Sequence, residues 1–203
     1  ICPHTRRPRR SDVGAFAFCA KLTVMESAAS VLAFWKSAGF EKWFSKNEKF
    51  DEEFRTQFMT LHEEAAAGKL SDWTTTAEGA LAVIILLDQF PRNSFRGTPR
   101  TFATDALALE TAKKAIDAGF DMTVDSELRL FFYLPFEHSE SLEEQERCVA
   151  LHEAMGMANL TKYAVVHHEV IARFGRFPHR NAILGRTSTA DELAFLEGGG
   201  FAG

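Results

Sequence analysis

One run, Ala80-Leu-Ala-Val-Ile-Ile-Leu-Leu87, constrains this chain more than any other stretch. Thr75 and Glu78 just ahead of it have the spacing of a capping box, in which a hydroxyl and a carboxylate three residues apart satisfy orphan backbone donors. A helix is therefore expected from Ala77 to Phe90. Apolar on every side, it has no face to offer water, so it must lie at the centre of the fold. The run is far shorter than the roughly 20 residues needed to cross a bilayer, so no membrane association is expected.

The flanking segments supply partners for that helix. Phe50, Phe54, Phe58, Leu61 and Ala65 recur at helical spacing, with Gly68 as a stop. Val31 to Ala38 reads as a short helix closed by Gly39. Thr101 to Ala118 reads as another, with Phe102, Ala106, Leu109, Ala112 and Ile116 on one face and Gly119 at its end. Ser126 to Leu134 should break at Pro135, which has no ladder donor and clashes one turn back. Ser141 and Glu144 form a second capping-box pattern before Leu142 to Met155. Ala158 to Phe174 carries Leu160, Tyr163, Ala164, His167, Val170, Ile171 and Phe174 on one stripe. Thr189 and Glu192 open a last short helix. No segment alternates with the period of two that a half-buried strand requires. The expectation is a single all-α domain over residues 28–197, a bundle or stacked array of about seven helices, with a frayed end at 198–203.

Composition narrows the function classes. A chain of 203 residues fits one domain, and 19 Phe against 2 Tyr promise a core of large apolar rings. The net charge of −5 argues against broad nucleic-acid binding. Cys2, Cys19 and Cys148 are scattered and odd in number, which fits a reducing compartment; a cytoplasmic location is expected. Arg6 to Arg10 followed by Val13 to Val24 imitates a signal peptide, but Lys21 interrupts the apolar stretch and no small-residue cleavage site follows. Residues 1–27 are read as a disordered or non-native extension. The oligomeric state is left open, a monomer being slightly favoured.

Polar chemistry concentrates in two echoing motifs, Asp88-Gln-Phe-Pro-Arg-Asn93 and Arg173-Phe-Gly-Arg-Phe-Pro-His-Arg-Asn181 with Arg186. Each places Phe-Pro at an expected helix end, and the echo hints at two related helix-turn-helix units. Asp88 would then sit where the helix dipole is negative and disfavours a carboxylate by about 0.3–1 kcal/mol. A guanidinium from Arg92, Arg173 or Arg180 is expected to compensate. Planar arginine forks suit a carboxylate or phosphate, so Asp88, Gln89, Arg92, Asn93, Arg173, Arg176, Arg180, Asn181 and Arg186 are the expected ligand-binding residues. His138, Glu140, His167 and His179 are the candidates for acid/base work. The spacing of these histidines with His168 and Glu169 matches no zinc signature, so neither metal nor cofactor is expected. Cys148, one turn from His152, reads as a small buried hydrophobe.

Leu86 to Asn93, Phe95-Arg-Gly97, Phe132-Tyr-Leu-Pro-Phe-Glu-His-Ser-Glu140, Tyr163-Ala164 with His167, and Arg173 to Asn181 with Leu184-Gly-Arg186 resemble the motifs of the bacterial domain-of-unknown-function family 924. The resemblance runs from about Val31 to Phe195 and implies a tetratricopeptide-like helical fold. Two functions stand beside each other at this point. In one, the polar residues bind an anionic small molecule, with acid/base catalysis as a further step. In the other, the helices form a peptide or protein interaction module and the motifs lock them together.

Overall fold

The computed structural model describes residues 27–201; the expectation for the segment before them falls outside the described residues. Among those residues the structure is helical, with no strand. We label the helices α1 (Ala28–Trp43), α2 (Glu48–Ala66), α3 (Ala77–Ile84), α4 (Phe90–Ser94), α5 (Asp105–Asp117), α6 (Ser126–Glu137), α7 (Leu142–Met155), α8 (Ala158–Phe174) and α9 (Ala190–Glu197). None is long and apolar enough to cross a membrane.

As its apolar run demands, α3 is the central rod. Gly79 to Ile84 are all buried, and α1, α5 and α6 pack around it. The predicted stripe of α2 is buried as a unit, and Phe54 and Phe58 join Trp35, Phe90 and Phe131 in the aromatic core. Gly39 breaks α1 with φ 73° and ψ 168°, a backbone that only glycine adopts without strain. The helix resumes beyond it, and the Trp43 indole N–H donates back to the Trp35 carbonyl at 2.7 Å. A smaller cluster of Val170, Ile171 and Phe177, flanked by Phe174, Phe195 and Phe201, stands apart from the main core.

Several boundaries differ from the sequence pattern, each for a local reason. Thr76, not Thr75, caps α3, its hydroxyl accepting from Gly79 N–H. α5 begins only at Asp105 and buries Ala108, Ala112 and Ala115, small residues that let it lie close to α3, while Leu109 and Ile116 are only half-buried and Ala106 is exposed. Ser141 makes no side-chain cap, and Glu144 pairs instead with Lys113. Thr189 and Glu192 do form their capping box. Pro135 does not end α6, which runs on to Glu137. Its C-terminal carbonyls are satisfied from outside: the buried Gln145 amide donates to Glu137 and Ser139 at 2.7 Å, and Arg180 to His138 at 3.0 Å.

The most consequential departure is at Asp88. The central helix does not stop at Phe90; it widens into a π turn over Ile85–Gln89 and continues as α4 with Pro91 in its first turn. Proline has no N–H for the Leu87 carbonyl, and the π turn takes the Phe90 N–H to Ile85 rather than Leu86. Two carbonyls are thereby freed, and side chains claim both: His62 Nδ1–H bonds Leu86 at 2.9 Å and the Thr104 hydroxyl bonds Leu87 at 2.5 Å. The second Phe-Pro has a different backbone, since α8 has already ended at Gly175 and Pro178 opens a 3-10 turn. The two motifs are alike in residues and unlike in structure.

Candidate functional site

Beside the π turn lies a cavity of about 660 Å³. Its walls come from α1, the π turn and α4, the end of α6, α8 and the loop after Gly175. Asp88 is wholly buried behind its polar floor. Gln89 Nε2–H donates to one Asp88 carboxylate oxygen at 2.6 Å, and His138 Nδ1–H donates to the other at 2.7 Å. Arg92 stands 3.2 Å from that second oxygen and forks onto Asp105 at 2.8 and 3.0 Å. The dipole argument for Asp88 thus does not apply, because the residue sits inside a continuing helix; the expected guanidinium partner is Arg92.

Burial and charge divide the ionisable groups here. Burial pushes the Asp88 carboxyl up, but Arg92 and His138 together outweigh it and hold the group well below the usual carboxylate range. Glu137 makes no hydrogen bond among the described residues; burial pushes it up to about 8, with the Asp88 charge adding and Arg92 opposing. At neutral pH it is a carboxylic acid with a proton to give. Burial, helped by Arg92, lowers His138 although Asp88 pulls it up, so its ring is neutral with the proton on Nδ1 and a lone pair on Nε2. His167 falls to about 3 and His179 to about 4, both through burial first. His167 fixes its own tautomer by donating Nδ1–H to the Tyr163 carbonyl at 2.8 Å, 3.5 Å from Glu137.

Arg180 closes the other side. It lies between the rings of Phe102 and Phe177, at 4.5 and 4.4 Å from their centroids, and reaches Asp105 at 3.3 Å. Burial lowers it to about 10, so it still carries its charge. Within the segment expected to fray, the Phe201 ring stands 4.3 Å from that of His167, at the cavity.

Of the residues singled out in the sequence, Gln89, Arg92, Asn93, His138, His167, His179 and Arg180 line the cavity, and Asp88 supports it. The others serve elsewhere. Glu140 forks onto Arg186 at 2.7 and 2.9 Å and accepts the Phe177 N–H. Arg176 forks onto Glu192, which also holds Asn181. Arg173 packs over Phe174 and Phe195. Their arginines do not gather on one anion, as the sequence suggested, but tie the C-terminal loop to its neighbours. Glu137 and His152, which line the cavity, and Asp105, which pairs with Arg92 and Arg180 beside it, were not among the expected site residues. Glu137 was hidden by the expected break at Pro135, which would have put it in a loop. Asp105 approaches only through tertiary packing and has no sequence signal.

Glu137, Cys148 and His152 place a carboxylate, a thiol and an imidazole within 4.8 Å of one another. His152 Nδ1–H donates to the Cys148 carbonyl at 3.0 Å, which leaves Nε2, 3.9 Å from Glu137, as the ring atom a metal would take.

Such a molecule is an all-helical domain with a polar-floored cavity set against its central rod. The chain matches the model of a family described as bacterial protein of unknown function (DUF924) over residues 31–200, and it belongs to that family. A solved structure of a protein of unknown function, ATU0120 from Agrobacterium tumefaciens, is 46% identical, with a TM-score of 0.82, covering 84% of this chain and 97% of that one. Comparison with curated proteins gave no match.

Proposed function

We propose that the cavity is a small-molecule site with general acid/base chemistry. His138 Nε2 takes a proton, Asp88 holds the ring in the required tautomer, and Glu137 supplies a proton as a neutral acid. The observation that carries this reading is the 2.7 Å bond from His138 Nδ1–H to a wholly buried carboxylate, which leaves Nε2 without a partner among the described residues on a ring that lines the cavity. A buried acceptor behind an imidazole orients it and stabilises the imidazolium that forms during proton transfer. Glu137, next in the chain and kept protonated by burial, is the complementary acid.

The test is turnover of a panel of small esters, amides and aldehydes by purified protein. His138→Gln and Asp88→Asn should each lower kcat by about 100-fold or more with KM little changed. Turnover that survives His138→Gln, or no turnover across the panel, would count against it. The lock half of the alternative reading has its own support in Arg176 with Glu192 and Arg186 with Glu140, which act on the C-terminal loop.

A further inference from the structure

We propose that the ligand of this cavity is an uncharged amphipathic molecule, with an amide, carbonyl or hydroxyl head at the polar floor and an apolar body against the aromatic wall. This rests on the small-molecule reading above and narrows it. The first support is that the guanidiniums lining the cavity are already engaged. Arg92 meets Asp88 and Asp105, Arg180 shares Asp105, and Arg96 pairs with Asp51 at 3.1 Å. Lys46, the remaining cation, is mostly exposed at the rim, where water screens it. Two carboxylates therefore offset Arg92 and Arg180 at the floor. An anionic head would have to displace a carboxylate held by charge-assisted bonds; a cationic head would meet two guanidiniums.

The second support is the kind of hydrogen bond left open. His138 Nε2 has no partner among the described residues and accepts. Arg180 Nε is buried without an acceptor and donates. Glu137, protonated and without a hydrogen bond among the described residues, can also donate. His167 Nε2, left as an acceptor, and His179 Nδ1, buried without a partner among the described residues, stand beside them; acceptors and donors side by side suit a head that both gives and takes hydrogen bonds, as an amide or hydroxyl does. The third support is the wall, where Trp43, Phe44, Leu130 and Leu134 offer rings and methyl groups to a body that a fully polar ligand lacks.

Calorimetric titration of the wild-type chain at neutral pH with phenylbutyramide, phenylbutyrate and phenylbutylamine decides the matter, since the three share one body and differ in the charge of the head. The amide should bind about tenfold more tightly than either ion. Asp105→Asn, which releases Arg92 and Arg180 from their shared carboxylate, should then raise affinity for phenylbutyrate by about tenfold. Phenylbutyrate binding the wild type as tightly as the amide, or an amide that does not bind, overturns the proposal. A failed turnover assay leaves these ratios standing, whereas a preference for phenylbutyrate alongside turnover that depends on His138 would overturn the ligand class and keep the acid/base reading.

Discussion

Two carboxyl groups near one arginine meet opposite fates because one is bonded and the other is not. Asp88 receives Gln89 and His138 directly and faces Arg92 at 3.2 Å, so its charge is satisfied in full burial. Removing it strands His138 and leaves Arg92 with Asp105 alone; Asp88→Ala should cost about 3 kcal/mol in urea unfolding. A loss below 1 kcal/mol would mean the pair is worth no more than a surface contact. Glu137 shows the reverse linkage. Its folded value of about 8 lies above that of the unfolded chain. Its contribution is therefore complete below the ordinary glutamate range and is lost as pH rises through 8. The buried histidines work on the other limb: His167 at about 3 and His179 at about 4 contribute stability above the free imidazole value that is lost as pH falls toward those values. Glu137→Gln should thus flatten the alkaline fall of the melting temperature between about pH 5 and pH 9 and leave the acid limb unchanged. An alkaline limb as steep as that of the wild type would place the titrating group elsewhere.

At the scale of elements, the π turn is what converts a buried rod into a site. It lets the helix carry Pro91 without ending, and it presents Asp88 to His138 and Gln89 to the cavity. Its cost falls on the Leu86 and Leu87 carbonyls, which depend on His62 and Thr104. Thr104→Val keeps the shape and deletes the donor, so the buried Leu87 carbonyl should go unsatisfied at about 1–3 kcal/mol, read from denaturant midpoints. An unchanged midpoint would show that the turn does not need the threonine. The sequence carried the helices themselves well, because periodicity and glycine stops are local: α7 and α8 end where the pattern says, and the α2 stripe is buried as expected. It failed where a tertiary partner overrides a local rule. Proline was taken as a terminator at Pro91 and Pro135, yet the helix runs through both, with Thr104 bonding the Leu87 carbonyl that Pro91 cannot serve and Gln145 bonding the carbonyls at the end of α6. The cavity-lining His138, His167, His179 and Arg180 were legible as chemistry, but Glu137 and Asp105 emerged only from packing.

Seen as a whole molecule, the chain has a large core and a small satellite, and the cavity lies where they meet. The satellite, built on Val170, Ile171 and Phe177, is too small to hold the loop after Gly175 by apolar burial alone. Ion pairs take up that work, with Glu192 as the hub: it receives two nitrogens of Arg176, the Asn181 amide and the Thr189 N–H. The same loop delivers His179 and Arg180 to the cavity, and Arg180 also caps α6 just after Glu137. The end of the chain should therefore open as a unit at lower free energy than the central rod. Glu192→Ala, by removing the hub, should speed backbone hydrogen exchange across residues 176–201, equivalent to a loss of about 1–3 kcal/mol in local opening, while α3 keeps its protection. It should also weaken binding of phenylbutyramide, because the wall that carries Arg180 loses its preorganisation. Exchange that rises equally in α3 would show the two cores to be one cooperative unit. Exchange that rises only in the loop, with amide affinity unchanged, would mean that His179 and Arg180 border the cavity without shaping what it binds.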